Sequence, residues 1–137
     1  MSKEQKSETS KLWDSAAEML GLKGKKFFGG TESCEFSLAI LSRLLEIGFI
    51  NPEQKFNYSP TVGTFYEFGK RASAFGAAVE YIGFLESKGR DTARLVIDGI
   101  KVTSIPDSAR LIMDFSQTFN DADEFTANPE LLRAWYD

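Results

Sequence analysis

TARLVIDGIKVTSI, residues 92–105, is the stretch whose reading decides the fold. Two runs of β-branched and aliphatic residues flank Asp98-Gly99, a dipeptide that strongly favours a two-residue hairpin turn. A turn there sets Ile97 opposite Ile100, Leu95 opposite Val102 and Ala93 opposite Ser104 on one face. Val96 with Lys101, and Arg94 with Thr103, then share the other face, so one register gives an apolar side and a largely polar side. Gly99 is expected at positive φ. Because an isolated hairpin is marginal in water, the remainder of the chain is read as the cover for its apolar face.

Immediately upstream, residues 77–86 read AAVEYIGFLE. A 3-4 spacing from Phe65 through Ile82 also suits one long helix, but Gly69, Gly76 and Gly83 would each cost about 1 kcal/mol relative to alanine inside it. Val79, Tyr81, Ile82 and Phe84 favour a strand. The expected fold class is therefore α+β, with a small antiparallel β-meander over about residues 77–105 packed on one face by flanking helices.

The helices are read from apolar periodicity and caps. Residues 1–9 are polar and expected to form a flexible N-terminal tail, followed by a single domain over 10–137. From about Ser10, Leu12, Ala16, Met19 and Leu20 share one side of a helix that Gly21 stops. Thr31 or Ser33 caps a second helix running to about Ile47, with Phe36, Ile40, Leu41, Leu44 and Leu45 on a wide apolar arc. A third helix starts at Thr61 and buries Val62, Phe65, Tyr66 and Phe68. A fourth, capped by Asp107 or Ser108, aligns Leu111, Ile112, Phe115 and Phe119. After an acidic loop, Asn128-Pro129-Glu130 has the order of an N-cap, a first-turn proline and a first-turn acid, which predicts a short terminal helix ending in Trp135 and Tyr136.

Composition narrows the function. The chain has 137 residues, a net charge of −4, one cysteine and no histidine. Lack of histidine removes the usual general base, the commonest metal ligand and every Ser-His or Cys-His nucleophile pair. One cysteine precludes an internal disulfide framework and, with no apolar leader in the first eleven residues, fits a cytoplasmic protein. No apolar run reaches membrane-spanning length. The acidic balance argues against a nucleic-acid partner. It concentrates in residues 106–137, where seven acids face two arginines.

Three clusters are candidate sites. Lys23, Lys25 and Lys26 lie in a glycine-rich loop ahead of Thr31, where a helix N-terminus would favour an anion, although the spacing is not that of a nucleotide loop. Asp121, Asp123 and Glu124 offer hard oxygen ligands for Mg²⁺ or Ca²⁺ but lack the central glycine and distant glutamate of a calcium loop. Arg94 and Lys101 on the polar hairpin face, with Trp135 and Tyr136 at the C-terminus, are candidate contacts for a partner. Cys34, in the first turn of the expected second helix, has the dipole of a reactive thiol but no base beside it. No catalytic residue and no cofactor is predicted. The expected function is a small non-enzymatic binding or protein-interaction module, taking a protein or small ligand, monomeric with a homodimer as the alternative. A carboxylate enzyme using a divalent metal, or an anion or nucleotide binder using the lysine loop, is the competing reading.

Overall fold

The computed structural model describes residues 3–89, 93–106 and 109–137. Its elements are helix α1 (Lys3–Met19), strand β1 (Thr31–Ser37), α2 (Leu38–Glu46), α3 (Val62–Ala74), β2 (Ala78–Glu86), β3 (Leu95–Thr103), α4 (Ala109–Phe119), β4 (Glu124–Ala127) and β5 (Leu132–Trp135). The five strands form one antiparallel sheet in the order β1-β2-β3-β5-β4. The α+β class is as expected. Among the described residues no helix is long and apolar enough to cross a membrane.

The Asp98-Gly99 hairpin is not formed. Residues 95–103 run as one central strand, and the connection to its partner β2 is the segment 87–94. Nor is Gly99 among the glycines at positive φ. Pairing shifts between Ile82, opposite Gly99, and Gly83, opposite Ile97. Asp98 is thus one residue too many on β3, a β-bulge. The bulge accounts for the sequence pattern that suggested a turn: it keeps Leu95, Ile97, Ile100 and Val102 all buried on the core face despite the three-residue step between the isoleucines. A continuous strand also gains β5 as a second partner along residues 99–102, which a two-stranded ribbon would forgo. Residues 77–105 therefore supply two strands of a five-stranded sheet rather than a three-stranded meander.

Two further expectations are corrected. Thr31–Ser37 is an edge strand, not the start of a helix: Phe36 is buried beside Tyr81, ring centroids 5.8 Å apart, while Ser33, Glu35 and Ser37 alternate outward. Helix α2 begins after it, capped by Ser37, whose Oγ accepts from the Ile40 N–H at 3.2 Å. The C-terminal segment is strand β5, not a helix. Asn128 does act as a cap of sorts, its Oδ1 accepting from Glu130 N and Leu131 N, but it closes a turn between β4 and β5. The strand alternation sends Tyr136 into the core and leaves Trp135 half-buried on the opposite face.

Helix α1 starts at Lys3 rather than near Ser10, running through residues expected to form a tail, while three other readings hold. Thr61 caps α3 through a 3.2 Å bond from Thr64 N, β2 is a strand, and α4 buries Leu111, Phe115 and Phe119. The expected cap at Asp107 or Ser108 lies outside the described residues. Helices α2, α3 and α4 cover the sheet face bearing Phe36, Tyr81, Ile100, Leu132 and Ala134, and α1 adds Ala16, Ala17 and Leu20 to the same core. Much of that core is phenylalanine. Phe65, Phe68, Phe115 and Phe119 pack with centroids 5.1–5.5 Å apart, joining α3 to α4.

Candidate functional site

The α3–α4 pair that buries this aromatic cluster on one side leaves a cleft on the other. Helical spacing turns Phe65, Phe68 and Ala72 inward on α3, so Arg71 and Ala74 point outward, followed by Phe75 at the C-cap. On α4, Leu111, Phe115 and Phe119 turn inward, and Arg110, Met113, Asp114 and Gln117 line the facing wall. The cleft encloses about 680 Å³. Its apolar rim is Phe75, 41% exposed, and Met113, 60% exposed. Large side chains left this open on adjacent elements are the ordinary mark of an association surface, and methionine adapts to varied apolar partners.

An ion pair bridges the two walls of the cleft. Arg71 holds Asp114 with two bonds, Nε to Oδ2 at 2.8 Å and Nη2 to Oδ1 at 3.0 Å, and its guanidinium lies 5.5 Å from the Phe68 ring centroid. Thr118 Oγ1 donates to the Asp114 carbonyl at 2.7 Å. The hydrogen bond to Asp114 raises the Arg71 pKa further. Both partners are partly exposed, so the pair contributes at most about 1 kcal/mol to stability, and its bidentate geometry chiefly orients the guanidinium. The lining holds no nucleophile paired with a base. It sets apolar side chains beside an oriented guanidinium.

No family model, no curated protein sequence and no solved structure matches this chain.

A second constellation lies on the sheet at the bulge. The side chain of Asp98, only 8% exposed, has a buried Oδ1 without a hydrogen-bond partner. Burial pushes the Asp98 pKa up, opposed by the neighbouring Trp135 indole and by Arg133. Burial, with the charges of Asp98 and Glu32, pushes the Cys34 thiol up to about 12. Cys34 sits in mid-strand, not at a helix N-terminus, so the dipole that would favour thiolate is absent. On the face opposite the helices, a row runs Ser37, Glu80, Lys101, Arg133 across four strands. Proximity to the Glu35 carboxyl raises the Glu80 pKa, with burial adding and Lys101 opposing.

The clusters read from sequence are dispersed. Tyr136 Oη donates to Asp121 Oδ1 at 2.7 Å, Asp137 N donates to Asp123 Oδ2 at 2.7 Å, and Glu124 pairs with Arg133 at 2.9 Å. The three acids thus serve separate contacts, and among the described residues no group of three or more His, Cys, Asp or Glu is placed to hold a metal ion. Lys23, Lys25 and Lys26 are exposed, and Thr31 begins a strand, so the helix N-terminus invoked for an anion is not there. Arg94 lies beside Glu86 at the entry to β3, its Nε 3.5 Å from Glu86 Oε1. Lys101 stands across from Glu80, Trp135 covers Gly99, and Tyr136 is buried against Phe65. The sequence reading missed Arg71, Phe75 and Met113. Met113 had a legible signal: it falls opposite the Leu111, Phe115 and Phe119 stripe.

Proposed function

We propose that the protein is a non-enzymatic interaction module whose partner seats an apolar side chain in the α3–α4 cleft. What supports this reading is the exposure of Phe75 and Met113 on the rim of that cleft, beside the Arg71–Asp114 pair. Closing the rim with a partner would remove apolar surface from water at about 25 cal/mol per Å², and Arg71 and Arg110 supply polar contacts at the margin. The carboxylate-and-metal reading has less behind it, since Asp121, Asp123 and Glu124 each hold a different group.

The test uses a photo-crosslinking amino acid placed at Phe75 and at Met113, with exposed Glu130 and Lys23 as control positions, in cells expressing the chain. The reading expects one discrete adduct from the two cleft positions and none from the controls. With the adducted protein purified, Met113→Glu should weaken the complex by about tenfold or more, since a buried unpaired charge costs at least 1.4 kcal/mol, about tenfold in Kd. Its own unfolding midpoint should stay close to wild type, as for exposed positions generally. An unchanged affinity for Met113→Glu would refute the assignment.

A further inference from the structure

The sheet has a seven-residue outer edge. β1 is the outermost strand on one side, seven residues long, and lies on β2 alone. The bond from Ser87 N to Gly30 O at 2.9 Å fixes which backbone groups face β2. From it the antiparallel alternation turns Glu32, Cys34 and Phe36 toward β2, and Thr31, Ser33, Glu35 and Ser37 away from the sheet. Among the described residues no backbone partner meets the outward groups of Thr31, Ser33 and Glu35, whereas the Ser37 carbonyl, at the N-cap of α2, is committed to that helix. Natural edges are blunted by charged side chains (lysine above all), proline, a bulge, shortness or a covering element. TESCEFS has no proline and no lysine, and its pairing to β2 runs through without a bulge. The opposite edge, β4, is only four residues long.

What β1 does carry is acid. Glu35 projects from the edge on the face opposite the helices, and its diagonal neighbour across the pair is Glu80. Glu32 lies on the same strand. A second copy of β1 in its fullest twofold register, Ser33 opposite Glu35, would set two Glu35 side chains on neighbouring rungs of one face, an unfavourable like-charge contact. A strand bearing lysine or arginine on that face would instead meet Glu35 and relieve the Glu35–Glu80 pairing.

We propose that β1 is a docking edge that takes an extended segment of another protein by strand addition, reading a lysine or arginine with Glu35. The backbone groups of Thr31, Ser33 and Glu35 supply the ladder, and the carboxylate supplies the preference. This site is separate from the α3–α4 cleft and stands whether or not that cleft binds a partner.

The probe is a fluorescently labelled synthetic peptide of alternating valine and lysine, about nine residues long to span the strand, with a valine–glutamate counterpart, followed by anisotropy. The lysine peptide should bind the wild-type chain about tenfold or more tightly than the glutamate peptide, and Glu35→Lys should invert that order. Ser33→Pro removes an outward N–H while leaving the β1–β2 ladder untouched, and should weaken binding by about tenfold or more. A companion measurement leaves the protein unaltered: lysine peptides N-methylated on alternate amides should bind in one phase of methylation and fail in the other. Equal affinity for the two charges, binding indifferent to both methylation phases, or no binding of either peptide would overturn the proposal. So would a wild-type dimer in sedimentation that Ser33→Pro dissociates, because a second copy would then be the occupant.

Discussion

Gly69 and Tyr81 provide the sharpest test of how α3 sits on the sheet. The Tyr81 hydroxyl is fully buried and donates to the Phe65 carbonyl at 2.7 Å, one turn before Gly69 on the same helix. A Cβ at Gly69 would overlap that hydroxyl and come within 3.1 Å of both Tyr81 Cζ and Leu38 Cδ1. Gly69→Ala therefore gains about 1 kcal/mol of helix propensity. Against this it forces an overlap costing about 1–3 kcal/mol and displaces a hydrogen bond contributing about 1 kcal/mol. The net is a loss of about 1–3 kcal/mol. Tyr81→Phe alone loses the hydrogen bond, about 1 kcal/mol. In the double variant the worst overlap is gone and the hydrogen bond is lost only once, so the loss should be at least about 1 kcal/mol smaller than the sum of the singles. Urea denaturation of the four proteins measures this directly. Additivity within about 0.5 kcal/mol, or a Gly69→Ala chain at least as stable as wild type, would refute the packing described for α3.

Three further outcomes are expected. Burial raises the Asp98 pKa above its unfolded value, so the stability it contributes is present below about pH 4 and is lost as pH rises through the folded pKa; urea midpoints of wild type should therefore fall relative to Asp98→Asn between acid and neutral pH, and a parallel course would contradict the burial. With its thiol pushed up to about 12, Cys34 should alkylate with iodoacetamide at pH 8 about a thousandfold more slowly in the folded chain than in urea, followed by mass spectrometry; comparable rates would mean that the edge strand opens readily. Gly83→Ala would drive a Cβ into the Val96 carbonyl oxygen, a backbone atom held by the bulge, and should cost about 3 kcal/mol in thermal or urea unfolding; an unaffected midpoint would argue against the bulge register.

The sequence by itself determined what depends on neighbours along the chain. Thr61 caps α3 because its hydroxyl needs only the N–H of Thr64, and the α4 stripe of Leu111, Phe115 and Phe119 follows from 3.6-residue periodicity. Asp98-Gly99 was ambiguous at that level, since the same small and polar residues serve a tight turn or a bulge. β2 and β5 decided it by pairing with β3 on both sides. Likewise Thr31–Ser37 and Leu132–Trp135 carry too little local signal to choose strand over helix, and each becomes a strand because a sheet edge is there to receive it. The functional residues divide in the same way. Met113 was legible as the outward side of α4, but its neighbours Arg71 and Phe75 lie about forty residues earlier. Only the packing of Phe65 and Phe68 against Phe115 and Phe119 sets α3 beside α4 and makes one cleft of the two helices.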